Sequence, residues 1–106
     1  DVYVGDITYL KEVQEKLLPQ EFELSQNYPN PFNPVTNIRY ALPERAEVRL
    51  EVYDILGRKV HTLVNQRQRA GWHVVNWDAS GLASGMYLYR LSAGDYVSVK
   101  KLTLIK

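Results

Sequence analysis

The stretch Ala46–Val64, "AEVRLEVYDILGRKVHTLV", decides the fold. Ala46, Val48, Leu50 and Val52 alternate with Glu47, Arg49 and Glu51, the period-two pattern of a strand with one face buried and the other in water. A helix would place its apolar residues three and four apart, and no such spacing occurs here. Glu47 and Glu51 read as the solvent side of a sheet. "YDILGRK" then reads as a tight connection, because Asp54 suits an Asx-type turn and Gly57 can take a positive φ at little cost. Val60, Thr62 and Val64 resume the alternation on a return strand, so the stretch is an antiparallel hairpin.

The same alternation extends in both directions. Upstream, Ile38, Tyr40 and Leu42 alternate before "PERA". Downstream, "NQRQRAGW" reads as a loop, His73, Val75 and Trp77 as one face of a strand, and "DASGLASG" as a second loop before Tyr87, Tyr89 and Leu91. Gly71 and Gly85 fall just before these strands. "AGDY" is a compact hairpin turn, and a closing strand runs from Tyr96 toward Lys106. Within it Val97 and Val99 are out of phase with Leu102 and Leu104, which predicts a bulge at Lys100-Lys101. With a short strand near Phe22 to Leu24, residues 21–106 are expected to form an all-β, antiparallel immunoglobulin-like β-sandwich of six to seven strands. Trp77, Tyr87 and Tyr89 lie in phase with its core.

Residues 1–20 differ in kind. "DVYVGDIT" has strand character, and Leu10, Val13, Leu17 and Leu18 stand at helical spacing up to the stop at Pro19. They are expected to be a linker or the remnant of an upstream domain, with packing on the sandwich as the alternative. Asp1 reads as the cut edge of a longer polypeptide.

Between these regions lies "QNYPNPFNPVTNI", Gln26–Ile38. Pro29, Pro31 and Pro34 fix their own φ and push Tyr28, Asn30 and Asn33 toward extended geometry, which excludes helix and regular strand. A flexible spacer rarely carries large apolar groups. The segment is therefore expected to be an ordered strap with both Tyr28 and Phe32 pinned to the folded body.

Composition restricts the chemistry. At 106 residues with 45% hydrophobic and 24% charged residues, the chain suits one modest core. A net charge of +1 is too mild for electrostatic binding of nucleic acid. No run approaches the roughly 18 apolar residues of a membrane-spanning helix, and with no cysteine there is neither a disulfide framework nor a thiolate metal site. His61 and His73, expected on neighbouring strands, are too few for zinc. Asp78, Ser80 and Ser84 lie in a loop without a histidine, so turn chemistry accounts for them. Neither an active site nor a cofactor site emerges. Trp72 alone reads as an exposed ring.

Four stretches, "FELSQNYPNPFNPVTNIRYALP", "VRLEVYDILGRKVHTLV", "AGWHVVNWDASGLASGMYLYRL" and "KKLTLIK", resemble the type A C-terminal sorting domain of the type IX secretion system, found in Bacteroidota and related bacteria. Its body is similar to the immunoglobulin-like domain of flagellar hook-capping proteins. The family's strap motif falls on Tyr28, Pro29, Asn30, Pro31, Phe32, Asn33 and Pro34, and its hairpin motif on Tyr53, Asp54, Gly57 and Arg58. Later motif positions fall on Gly71, His73, Trp77, Asp78, Ser84, Gly85, Tyr87 and Tyr89, and the terminal basic-apolar strand on Lys100, Lys101 and onward to Lys106. Ala79 departs from the glycine that commonly follows the Trp-Asp pair. The resemblance implies a non-enzymatic label, secreted or on the cell surface after periplasmic transit. It further implies recognition at the outer-membrane type IX translocon, cleavage by a sortase-like protease, and activity residing in an upstream cargo domain.

Two other readings stand beside it. The sandwich could self-assemble, with Asp1–Tyr9 adding as a strand to an exposed edge of a neighbour, or Trp72 could serve a carbohydrate-binding accessory module.

Overall fold

Each alternating run becomes a strand in the computed structural model, which describes residues 17–106. The strands are β1 (Glu23–Leu24), β2 (Val35–Leu42), β3 (Ala46–Asp54), β4 (Lys59–Gln68), β5 (Gly71–Asp78), β6 (Gly85–Ala93) and β7 (Tyr96–Leu104). They form two antiparallel sheets, ordered β1-β2-β5 and β4-β3-β6-β7. The hairpins β3–β4 and β6–β7 stay within one sheet, whereas the connections after β2, β4 and β5 cross between sheets, as in immunoglobulin-like sandwiches. The expected strand and helix at Asp1–Tyr9, Leu10 and Val13 lie outside the described residues. Leu17 and Leu18 are exposed.

The core lies between the sheets. Ile38, Tyr40 and Leu42 of β2 join Val48, Leu50 and Val52 of β3, Tyr89 and Leu91 of β6, and Leu102 and Leu104 of β7 in one buried cluster. Burying an aliphatic or aromatic side chain of this size contributes roughly 1.5–3 kcal/mol, so these alternating residues dominate the stability. Trp77 and Tyr87 are buried as their phase requires. The Tyr87 hydroxyl donates to the Ala83 carbonyl at 2.6 Å, forming the tyrosine corner common in immunoglobulin-like sandwiches.

Four expectations are corrected. The β6–β7 pairing runs without interruption from Gly85↔Leu104 to Ala93↔Tyr96, so no bulge interrupts Lys100-Lys101. Val97 and Val99 simply face outward and are exposed, since an edge strand leaves part of its outer face uncovered. The irregularities instead fall in the β3–β4 pair, where Leu50 opposes Val64 but Glu51 opposes Thr62, leaving Leu63 as the extra residue. Leu63 consequently packs against the core while Thr62 is exposed. The loop expected at "NQRQRAGW" shrinks to Arg69-Ala70, because β4 continues to Gln68 with polar residues suited to an exposed edge. Finally, His61 and His73 occupy different sheets.

Candidate functional site

The hairpin turn is built by its own residues. Asp54 Oδ1 accepts the Leu56 and Arg58 backbone N–H groups, each at 2.9 Å, and Oδ2 accepts Arg58 Nε at 2.8 Å. These bonds, the Arg58 N–H first among them, hold the Asp54 carboxyl below its usual range. Gly57 closes the turn at φ 85°, a conformation that an L side chain resists. Ile55 and Leu56 at the tip are left exposed.

The strap is held by distant partners. Phe32 is 2% exposed, with its ring 5.8 Å from that of Trp77. Its N–H donates to the Thr103 carbonyl at 3.0 Å, and its carbonyl accepts the Ile105 N–H at 2.9 Å. Asn30 Oδ1 accepts the Thr103 N–H at 3.0 Å, and the Pro34 carbonyl accepts the Ala79 N–H at 2.9 Å. The X–Pro bonds at Pro29, Pro31 and Pro34 are all cis. The strap thus lies along the outer edge of β7 and crosses to the loop after β5.

Tyr28 contradicts the expectation of two pinned rings: it is 79% exposed. Its backbone exchanges two hydrogen bonds with Asn37, at 3.0 and 2.9 Å, so the main chain is fixed while the ring points away. The second anchor is Asn27, a buried polar residue that the sequence reading missed. Its N–H donates to Tyr89 Oη at 2.8 Å, and its side-chain amide donates to Thr36 Oγ1 at 3.0 Å and to the Pro29 carbonyl at 3.2 Å. Tyr89 Oη in turn donates to the Ser25 carbonyl at 2.6 Å. Burial pushes the Tyr89 hydroxyl up to about 12. Two signals pointed to this network: a threonine in core phase at position 36, and a core tyrosine whose hydroxyl must find partners.

Register shows where these parts meet. Asp54 opposes Tyr87, which opposes Leu102; Gly85 opposes Leu104, which bridges to Phe32; and Val35 opposes Asp78. One end of the sandwich therefore gathers the strap, the β3–β4 turn, Trp77, Asp78, Gly85, Tyr87 and the C-terminal residues. Trp77 Nε1 donates across the sheets to His61 Nδ1 at 3.1 Å. Asp78 Oδ1 accepts the Ser80 N–H at 2.9 Å, and Ala79 is fully buried without a positive φ. Lys106 Nζ donates to the Ser80 carbonyl at 2.6 Å, and its N–H to Ser84 Oγ at 3.0 Å.

Some positions lie elsewhere. Gly71 pairs with Leu42 at the opposite end. Lys100 and Lys101 point to opposite faces of β7; Lys101 is exposed and Lys100 half-buried. Trp72 is 46% exposed, and the Arg39 guanidinium covers one ring face 4.4 Å from its centroid.

Glu51 also departs from expectation. It is buried on the outer face of its sheet, while Glu47 is exposed. Tyr53 Oη donates to Glu51 Oε1 at 2.8 Å, Arg90 Nη2 to the same oxygen at 3.2 Å, and Lys59 Nζ to Oε2 at 3.3 Å. The Tyr53 bond is the main reason its carboxyl titrates below the usual range despite its burial, with Lys59 and Arg90 adding to the effect. This carboxylate is held ionised in an ion-pair network. Among the described residues no group of three or more His, Asp or Glu side chains is placed to hold a metal.

A family model described as the secretion system C-terminal sorting domain matches residues 26–106. The chain belongs to this sorting-domain family. The match takes in the strap, both hairpins and the C-terminal strand, and so includes every residue gathered at the strap end. The sorting domain is also similar, with a TM-score of 0.52 and 18% identity, to a solved structure of PorZ, an essential bacterial surface component of the type IX secretion system of Porphyromonas gingivalis. That alignment covers 96% of this chain and 12% of PorZ, and the likeness is one of fold. No curated protein matches the sorting domain.

Proposed function

We propose that this domain is a non-enzymatic label that directs an upstream cargo through the type IX secretion system to the cell surface or medium. The carrying observation is that the sorting-domain family model matches residues 26–106, within which the strap, Asp54, Gly85, Tyr87 and the C-terminal residues, far apart in sequence, converge on one end of the sandwich. That end also leaves Tyr28, Ile55, Leu56, Met86 and Ile105 exposed around a rigid frame. Apolar groups concentrated on an ordered surface suit recognition, because little entropy is lost on docking. The outer-membrane translocon is the partner in this reading, with a sortase-like protease acting after export.

A reporter fused ahead of Asp1 and expressed in a host with type IX secretion tests this. Export of the parent fusion, with loss of export in the folded Leu56→Lys, Ile105→Lys double variant, is the expected result. A parent reporter that stays in the periplasm refutes the label. Export unaffected by the double variant moves recognition away from this end.

A further inference from the structure

The two sheets end in four edge strands, and three of them are guarded. β1 is only two residues long. β4 carries two register irregularities together with Lys59 and Arg67, devices that discourage pairing with another chain. The β7 edge is covered by the strap at Thr103 and Ile105, and Gln26 Nε2 donates to the Lys101 carbonyl at 2.7 Å. The uncovered remainder around Val97 and Val99 runs into Lys100 and Lys101.

β5 has none of these protections. "GWHVVNWD" is eight residues long, pairs with β2 in unbroken register, and contains no lysine, arginine, proline or bulge. Phase identifies its free groups. Asn37 bonds to Tyr28 and the Arg39 carbonyl accepts the Ser25 N–H, so odd residues of β2 face the strap and β1, and even residues bond to β5. Their partners on β5 are the odd residues. The backbone N–H and C=O groups of Trp72, Val74 and Asn76 therefore point outward, and among the described residues no hydrogen bond occupies them. Val74, at the centre, is 63% exposed.

We propose that this edge is an interaction surface for a second copy of the same chain, joined by antiparallel pairing of β5 with β5. The sequence is self-complementary about Val74. With Val74 on the two-fold axis, Trp72 of one copy opposes Asn76 of the other, both carrying outward backbone groups, and His73 opposes Val75 on the inner face. The same register sets Asp78 opposite Ala70 and one residue from the exposed Arg69 of the other copy, so opposite charges meet at both ends of the ladder. No like charges face each other between them. The equivalent pairing of β4 would instead bring Lys59 and Arg67 into the joint. This surface is centred on Val74, reaches the strap end only at Asp78, and does not depend on the sorting role.

The test is the mass of the full chain as a function of concentration by analytical ultracentrifugation. Reversible dimers are expected, with amide exchange at Trp72, Val74 and Asn76 slowing as the dimer forms. Val74→Lys sets two like charges opposite each other and should weaken the dimer roughly fivefold to tenfold. Val97→Lys, an equally exposed valine on β7, should leave it unchanged. Val74→Cys gives a chain whose sole cysteine lies on the axis, and mild oxidation should yield a covalent dimer that Val97→Cys does not. A chain that stays monomeric throughout, a dimer indifferent to Val74→Lys, or equal losses from both lysine variants would overturn the proposal. Circular dichroism confirms that each variant is folded.

Discussion

The β3–β4 turn and the strap meet at one end of the molecule, yet they are held in opposite ways. The turn closes on partners no more than four residues away, with Asp54 serving Leu56 and Arg58. The strap depends on Tyr89, Thr103 and Ile105, which lie more than sixty residues further along the chain. A locally closed turn forms as soon as its hairpin does, whereas the strap can order only once both sheets are assembled. The strap is accordingly the part whose order reports the integrity of the whole domain.

The strongest way to break this contrast is Phe32→Ala. Removing a buried ring from the contact with Trp77 should cost about 3–5 kcal/mol, and melting should show the loss. Hydrogen exchange should rise across the strap while the Asp54 turn keeps its protection at temperatures where the variant remains folded.

Tyr89→Phe comes next, because it leaves the Asn27 N–H and the Ser25 carbonyl without their partner at a cost of about 1–3 kcal/mol. The wild-type domain has a related alkaline weakness. Its folded Tyr89 pKa of about 12 lies above the ordinary tyrosine value of 10.0, so this contribution is complete below pH 10 and is lost as pH rises toward 12. Thermal melts across that window should show a decline that Tyr89→Phe reduces. At the acid end the sign reverses: the depressed Glu51 titration makes its contribution complete above the usual carboxylate range, and it is lost as pH falls through the folded value. Glu51→Gln should flatten that acid decline without changing exchange in the strap.

Asp54→Ala should have a smaller effect, a drop of a few degrees in melting temperature, with fraying confined to residues 54–58. Tyr28→Ser should have the smallest, within about 0.5 kcal/mol, because the bonds to Asn37 are made by its backbone. Comparable losses from Tyr28→Ser and Phe32→Ala would erase the difference between the two rings.

The sequence by itself determined the strands, the Asx turn at Asp54 and the order imposed by the strap prolines. Each rests on local physics: side chains alternate along a strand, an aspartate reaches the amides just after it, and a proline fixes its own φ. The failures share a different character. The bulge expected at Lys100-Lys101 was inferred from apolar phase, but Val97 and Val99 are tolerated on the outer face of an edge strand, and only pairing with β6 reveals the unbroken register. The extension of β4 to Gln68 was hidden because an edge strand does not need apolar alternation.

Tyr28 and Phe32 are both large aromatics flanked by proline, and nothing local separates them. Their difference arises from what lies across the gap: the Trp77 ring packs beside Phe32, which is buried, while Tyr28 stays exposed. The burial of Glu51 likewise required Arg90 from another strand, and the buried role of Asn27 required the hydroxyl of Tyr89. Tertiary structure alone decided these contacts and the convergence of the strap, Asp54, Gly85 and Tyr87 at one end, because they depend on which strands become neighbours when two sheets close over a shared core.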